Sequence, residues 1–216
     1  MTAPLPDLDG ISTATLSDAL DRLGRPGSLL GIVPLTNGQR LLGRAFTVRY
    51  RPAGHPPGTV GDYIDEMEPG QVVVLDNGGR TDCTVWGDIL TAVAHRRGLG
   101  GTVIDGVNRD VGRALDLGYP IYSRGRFMRT GKDRVEVAEV SGIVTIGGVQ
   151  VSPGDLLAGD DDGVVAIASG AEAEVIEIAR GIAAREEAIL ADALGGATIA
   201  EARARHGYHL LQRKES

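Results

Sequence analysis

Asp88, Arg109 and Asp110 are the residues whose types and spacing best suit chemistry, with twenty residues between Asp88 and the Arg109-Asp110 pair. An arginine offers a planar fork of donors to a carboxylate, or to an oxyanion that develops during a reaction. A carboxylate next to it is a natural ligand for a hard divalent cation. Gly87, just before Asp88, lets the backbone come close to a ligand. A helix that starts there points N–H groups outward, and such an end holds a carboxylate or phosphate through backbone donors and the helix dipole. Each feature also has a plainer reading. Asp88 favours the first turn of any helix, and Arg109-Asp110 can be an ion pair that caps the helix starting at Val111.

The stretch Val85–Asp110 must position these residues. It reads as a helix entry (Trp86-Gly87-Asp88-Ile89-Leu90), an amphipathic helix, a Gly-rich turn, a buried strand (Thr102 to Val107) and a charged pair where that strand ends. Strand ends in α/β sheets are where ligands usually sit. Upstream, residues 1–10 read as a Pro-rich arm, Ser12 to Leu20 as a capped helix and Leu42–Tyr50 as a strand. A turn-rich loop from Pro52 to Pro57 holds His55, a short helix spans Gly61 to Met67, and Gln71–Asp76 is a buried strand. Downstream come a short helix, Val111 to Leu117, and the return Tyr119 to Gly125. Residues 134–168 are β runs joined by Gly, Pro and Asp turns. A long helix (Ala171 to Leu194), a final helix (Ile199 to His206) and a basic tail complete the chain. No composition shift marks a second domain, so the order predicts one α/β domain over residues 1–216 with an N-terminal arm and a C-terminal helix.

Composition narrows the classes. Hydrophobic content of 42% and charged content of 24% are those of a globular protein, and 216 residues can bury a sizeable core. A net charge of -7 argues against a nucleic-acid surface, which needs clustered Lys and Arg. Cys83 is the single cysteine, so no intrachain disulfide framework forms; it reads as a small buried hydrophobe. No apolar run reaches the roughly 18 residues of a membrane helix, and no secretory leader precedes the first helix, so the expected address is the cytoplasm. Asp160-Asp161-Asp162, followed by Gly163, reads as a turn because no EF-hand spacing is present after it. His55, His95, His206 and His209 lack metal-ligand spacing, and His95 falls on the polar side of its helix. No P-loop, dinucleotide fingerprint or G-x-S-x-G elbow is present.

Taken together, Gly87-Asp88-Ile89-Leu90, Ile104-Asp105-Gly106 and Arg109-Asp110 resemble the signature of the class II pyruvate aldolases. Those enzymes act on 4-hydroxy-4-methyl-2-oxoglutarate and 4-carboxy-4-hydroxy-2-oxoadipate, and the regulator of ribonuclease activity A is a structural relative. The likeness continues through Gly147-Gly148-Val149, Val151, Pro153-Gly154-Asp155 and Asp160 to Val165. The resemblance implies a three-layer α/β sandwich with a sheet like that of the swivelling β/β/α domain, assembled as a homotrimer or homohexamer. It implies a 2-oxo acid substrate, with Gly87, Asp88, Ile89 and Leu90 holding the pyruvyl carboxylate and Arg109 on a substrate oxygen. Asp110 would face Mg2+ or Mn2+, and a water held by Asp88 would serve as base. The expected reaction is retro-aldol cleavage to pyruvate, with oxaloacetate decarboxylation through the same enolate. Asn108 departs from the pattern, which commonly has an apolar residue there. A non-catalytic ring that regulates a protein partner such as a ribonuclease, or a relative acting on another 2-oxo acid, is the alternative.

Overall fold

Residues 4–208 are described by the computed structural model. The chain runs α1 (Thr13–Arg22), β1 (Val33–Pro34), β2 (Leu41–Pro52), a 3-10 turn (Asp62–Glu66), β3 (Gln71–Thr84), α2 (Asp88–Arg96), β4 (Gly101–Asn108) and α3 (Val111–Leu117). It continues with β5 (Ile121–Arg126), β6 (Val135–Val140), β7 (Val144–Ile146), β8 (Val149–Val151), β9 (Leu156–Asp160), β10 (Gly163–Ile167), α4 (Glu172–Leu194) and α5 (Ile199–Arg205). Among these residues, residues 4–5 with Ser28–Ser169 form one compact unit, and Pro6–Gly27 with residues 170–208 form another. The basic tail and His209 lie outside the described residues.

Among the described residues of the first unit, eight strands make one sheet in the order β1-β5-β4-β3-β2-β9-β10, with β6 also on β2; β7 and β8 form a separate hairpin. Strands β2 to β5 pair in parallel. Parallel neighbours need a crossover rather than a tight turn, and α2 and α3 provide it between β3, β4 and β5. Alternate residues point to opposite faces of a strand, and here both faces are apolar. Val73, Leu75, Ile104 and Ile121 meet Ala94 of α2 and Ala114 of α3. Val72, Val74, Val103 and Tyr122 meet Val144, Ile146, Val149 and Val151 of the hairpin. Helices, mixed sheet and hairpin are the α/β layers that the sequence implies.

One strand departs from its sequence reading. Asn77-Gly78-Gly79 looks like the end of the Gln71–Asp76 strand, yet β3 continues to Thr84. Gly78 and Gly79 take φ of +63° and +69°, and the register with β4 shifts between Asp76 and Arg80 and again before Thr84. Glycines in such bulges let the ladder resume instead of ending it, and the bend re-aims the strand beyond it.

In the second unit, α1 packs on α4 and α5 on the end of α4. The Ser12 hydroxyl accepts the Thr15 N–H at 3.1 Å, capping α1 as the sequence suggests. Thr198 and Glu201 close a capping box on α5. Asp192 of α4 accepts hydrogen bonds from Arg205 and, at 2.9 Å, from His206.

The loop between β2 and the 3-10 turn is tied to β6 by one carboxylate. Glu136, its side chain only 6% exposed, accepts from Gly54 N–H at 3.1 Å, Gly58 N–H at 2.8 Å and Arg51 Nε at 2.8 Å. The two backbone donors, then the guanidinium, hold its carboxyl down at about 2, against an ordinary value of 4.5. A depressed carboxyl pKa stabilises the fold fully above the unfolded value and loses that contribution as pH falls toward the folded one. Glu136→Gln should therefore lower the melting temperature at pH 7, and its gap from wild type should narrow between pH 4.5 and about 2. A gap that stays constant over that range in paired melting curves would contradict the assignment.

Candidate functional site

The end of β4 is fastened to the entry of α2. Arg109 N–H donates to the Trp86 carbonyl at 3.0 Å, which sets Arg109 and Asp110 against Gly87. Trp86 itself is fixed: its indole donates to Thr91 Oγ1 at 2.9 Å, its ring stacks on Tyr119, and the Thr84 hydroxyl donates to its carbonyl at 3.2 Å. Thr91 Oγ1 in turn donates to the Gly87 carbonyl at 2.8 Å. The turn that opens α2 is thus held by buried polar contacts on its inner side.

Gly87 is the N-cap of α2, extended in backbone and without a side-chain cap. A Cβ there would sit 2.8 Å from Asp110 Oδ2 and 3.3 Å from Arg109 Nε, so glycine is what lets the charged pair lie against the helix end. Asp110 takes φ 56°, ψ 39°, a left-handed conformation that Asp tolerates better than most residues. Its Oδ2 lies 3.2 Å from Arg109 Nε and 3.5 Å from the Asp88 N–H. Both side chains are open to ligand, at 38% and 41% exposure.

Gly87, Ile89, Leu90 and Arg109 line one cleft of about 220 Å³. Its other walls are Val60-Gly61, Thr84-Val85-Trp86 and Thr130-Gly131-Lys132. Tyr50 anchors the Val60 wall by donating to its carbonyl at 2.7 Å. Asp110 borders Gly87 and opens onto a neighbouring cleft of about 230 Å³, which Arg109 also lines. Asp88 lines neither of these two clefts. Its Oδ1 turns back to accept the Ile89 N–H at 2.8 Å, so this side chain fills one donor of the helix's first turn.

Lys132, Thr84 and Thr130 belong to the cleft, and sequence reasoning does not single them out. Their proximity depends on the segment after β5 running back along the end of β3, where Thr84 N–H donates to the Arg129 carbonyl at 2.9 Å and Thr84 bridges Thr130. The one available signal is composition: the chain has 20 arginines and 2 lysines, and Lys132 is one of the two.

The remaining candidates are structural. Asp105 is buried, pairs with Arg124 and accepts the Gly147 N–H at 2.9 Å, tying β4 to the hairpin layer. Asp160-Asp161-Asp162 forms a turn in which Asp160 Oδ1 accepts the Asp162 N–H at 3.0 Å. Cys83 is buried, and that burial raises its thiol pKa, as for an inert core thiol. His95 is exposed on α2. Among the described residues, no three His, Cys, Asp or Glu side chains converge as a closed metal cage. A single half-exposed carboxylate, Asp110, suits a hard cation that keeps most of its waters, as Mg2+ does. No helix of the described residues is long and apolar enough to cross a membrane.

A family model described as RraA-like, Aldolase/RraA, matches residues 13–166. Protein DlpA of Legionella pneumophila subsp. pneumophila is 38% identical over 207 residues; the match covers 94% of this chain and 34% of that protein, so the chain spans about a third of its length. A protein of Halalkalibacterium halodurans named "Putative 4-hydroxy-4-methyl-2-oxoglutarate aldolase" is 35% identical over 180 residues, 82% of each chain. Among solved structures, an uncharacterized protein from Pseudomonas syringae pv. tomato superposes with a TM-score of 0.83 at 43% identity, covering 91% of this chain and 96% of that one.

Gly87→Ala tests whether the geometry around Arg109 and Asp110 is a binding geometry. The backbone at Gly87 is extended, so alanine is tolerated there and the melting temperature should move by only a few degrees, about 1 kcal/mol or less. The new methyl must displace Asp110 and Arg109, and oxalate affinity measured by calorimetry with Mg2+ present should fall at least roughly tenfold. Unchanged oxalate binding would show that the pair does not form the ligand site.

Proposed function

The chain belongs to the RraA-like family, Aldolase/RraA, and from that premise we propose that it is a divalent-metal-dependent carbon–carbon lyase. The proposed reaction is retro-aldol cleavage of a 4-hydroxy-2-oxo acid, of the 4-hydroxy-4-methyl-2-oxoglutarate kind, with release of pyruvate. The observation that carries this reading is the placing of the Arg109 fork and the Asp110 carboxylate against the N-terminal turn of α2. Breaking the bond between C3 and C4 leaves an enolate on the pyruvyl fragment, and the site must meet negative charge growing on the C2 oxygen.

In this reading the turn from Gly87 to Leu90 holds the substrate carboxylate once Asp88 releases the Ile89 N–H, and Arg109 directs its fork at the C2 oxygen. Lys132, across the cleft, offers a second cation to a dianionic substrate. Val60, Ile89 and Leu90 give the cleft an apolar wall, which limits water around the developing charge. A water held by the freed Asp88 carboxylate relays the proton of the C4 hydroxyl to that carboxylate, and the carbonyl product forms as the C3–C4 electrons pass to the enolate. Asp110 would hold Mg2+ or Mn2+, which when bound supplies positive charge at the same oxygen. Oxaloacetate decarboxylation passes through the same enolate and is the expected side activity. Assembly as a homotrimer or homohexamer is part of the proposal, and sedimentation of a fully active monomer would contradict it. The second reading is a non-catalytic ring that binds a protein partner, since the family description names RraA beside aldolase. Metal-dependent pyruvate release separates the two.

Arg109 decides the mechanism most directly. Lys brings a point charge but no planar fork, so Arg109→Lys should lose on the order of a hundredfold in kcat, about 3 kcal/mol, nearly as much as Arg109→Ala. The loss should fall on kcat more than KM, because the charge it meets exists mainly in the transition state. Asp110→Asn, which suits the left-handed backbone but lacks the charge, should abolish the metal-dependent turnover while melting at nearly the wild-type temperature. An Arg109→Lys enzyme with near-wild-type kcat would remove Arg109 from the chemistry, and an Asp110→Asn enzyme that is still active with Mg2+ would remove Asp110 from the cation.

A further inference from the structure

Thr91 is 1% exposed, lines neither cleft and takes no part in the proposed chemistry. Its hydroxyl makes two hydrogen bonds, and the direction of each follows from the partners. The Trp86 indole can only donate, so Thr91 Oγ1 accepts from it at 2.9 Å and gives its single proton to the Gly87 carbonyl at 2.8 Å. The bond to Gly87 alone would be ordinary, since a helical threonine often returns its hydroxyl to the carbonyl four residues back. The bond from Trp86 is of another kind, because it ties the helix to a residue that precedes its N-cap.

The peptide planes carry the consequence. In a trans peptide the C=O and N–H lie in one plane and point opposite ways, and the Gly87–Asp88 peptide is trans. The Gly87 carbonyl is drawn inward by the Thr91 hydroxyl and by the Thr91 N–H at 3.0 Å. The Asp88 N–H must then face outward, where it lies 3.5 Å from Asp110 Oδ2. The peptide before it is fixed through the Trp86 carbonyl, which accepts the Arg109 N–H at 3.0 Å and the Thr84 hydroxyl at 3.2 Å. Gly87 is extended and has no side chain with which to hold either plane. One Thr91 oxygen therefore joins the two, through the Gly87 carbonyl on one side and the Trp86 indole on the other.

We infer that Thr91 is a positioning residue for the turn that receives the substrate carboxylate. Its hydroxyl sets the direction of the first donors of α2, and through Trp86 it steadies the carbonyl to which Arg109 is fastened. The inference rests on the proposed function for the identity of the anion, a 2-oxo acid, and adds how the turn is aimed at it. Backbone donors hold that carboxylate in the ground state and the transition state alike. Mis-aiming them should raise KM and leave kcat little changed, the opposite of the split expected at Arg109.

Thr91→Val keeps the shape of the side chain and removes both of its hydrogen bonds. On the full-length protein with Mg2+, it should raise KM for 4-hydroxy-4-methyl-2-oxoglutarate and the calorimetric Kd of oxalate roughly tenfold each, with kcat changed less than about threefold. Thr91→Ser restores the hydroxyl and should return both constants to near the wild-type values. Trp86 is the single tryptophan, so its emission should shift in Thr91→Val and not in Thr91→Ser. Thr91→Val leaves a buried indole unpaired, which destabilises the fold; adding Trp86→Phe removes that orphan donor, and the double variant should show the same rise in KM. A Thr91→Val protein that melts lower yet keeps wild-type KM and oxalate affinity would make Thr91 structural only, and would overturn the inference while the lyase reading stands. Oxalate binding that is lost in Thr91→Val, in a wild type that releases no pyruvate, would sink the lyase reading and uphold the positioning. A wild type that binds no oxalate would overturn the inference whatever its turnover.

Discussion

One backbone hydrogen bond, from Arg109 N–H to the Trp86 carbonyl, joins the two halves of the site. It is possible only because β3 and β4 are parallel neighbours. Both strands then end on the same edge of the sheet, and the chain leaving β3 at Thr84 passes beside the chain leaving β4 at Asn108. The α2 crossover returns the chain to the start of β4, so its first turn lies over the strand ends. The buried Trp86–Thr91 contact keeps that turn from drifting. Remove the pairing of β3 with β4, and Arg109 and Asp110 lose the helix end they lie against.

The chain carries a net charge of -7, yet the first cleft brings together Arg109, Lys132 and a helix N-terminus. The charged side chains that line this cleft are therefore cationic although the whole chain is acidic, with Asp110 beside Arg109 at its edge. An anionic ligand gains little from the far field of such a protein, and its recognition rests on short-range donors at fixed positions. That favours a planar fork on a rigid strand end over mobile surface cations, which is the arrangement Arg109 has. It also explains why composition can argue against a nucleic-acid surface without excluding an anion site.

Most of the layer order is legible in the sequence, because β runs and helix periods are local properties. Val72 to Leu75 and Val103-Ile104 read as buried strands, and Ser12 announces its helix through a side-chain cap. Asp88, Arg109 and Asp110 stand out because they flank a single helix–strand unit, whose ends must approach one another. Lys132, Thr84 and Thr130 do not, since their meeting depends on an irregular segment laid along a neighbouring strand. Local pattern contains no such information. The continuation of β3 past Asn77-Gly78-Gly79 escapes for a related reason: the same dipeptides serve turns and bulges, and only the partner strand decides which forms. Asp88 stands at the helix entry that the sequence gives it, but its side chain turns back on the Ile89 N–H, a detail of rotamer that spacing does not carry.

Asp110 shows how backbone and chemistry select the same residue. Its left-handed conformation, φ 56°, excludes β-branched and most bulky side chains and leaves Gly, Asn and Asp as the comfortable choices. A glycine would leave Arg109 without its neighbour at 3.2 Å, and an asparagine would keep the shape but not the charge. The conformation also aims Oδ2 at the space over Gly87, where any Cβ would meet it at 2.8 Å. The glycine before α2 and the aspartate before α3 are therefore one constraint seen from two strands. A side chain at the first would push out the carboxylate of the second, and a relaxed backbone at the second would leave the first with only Arg109 to make room for.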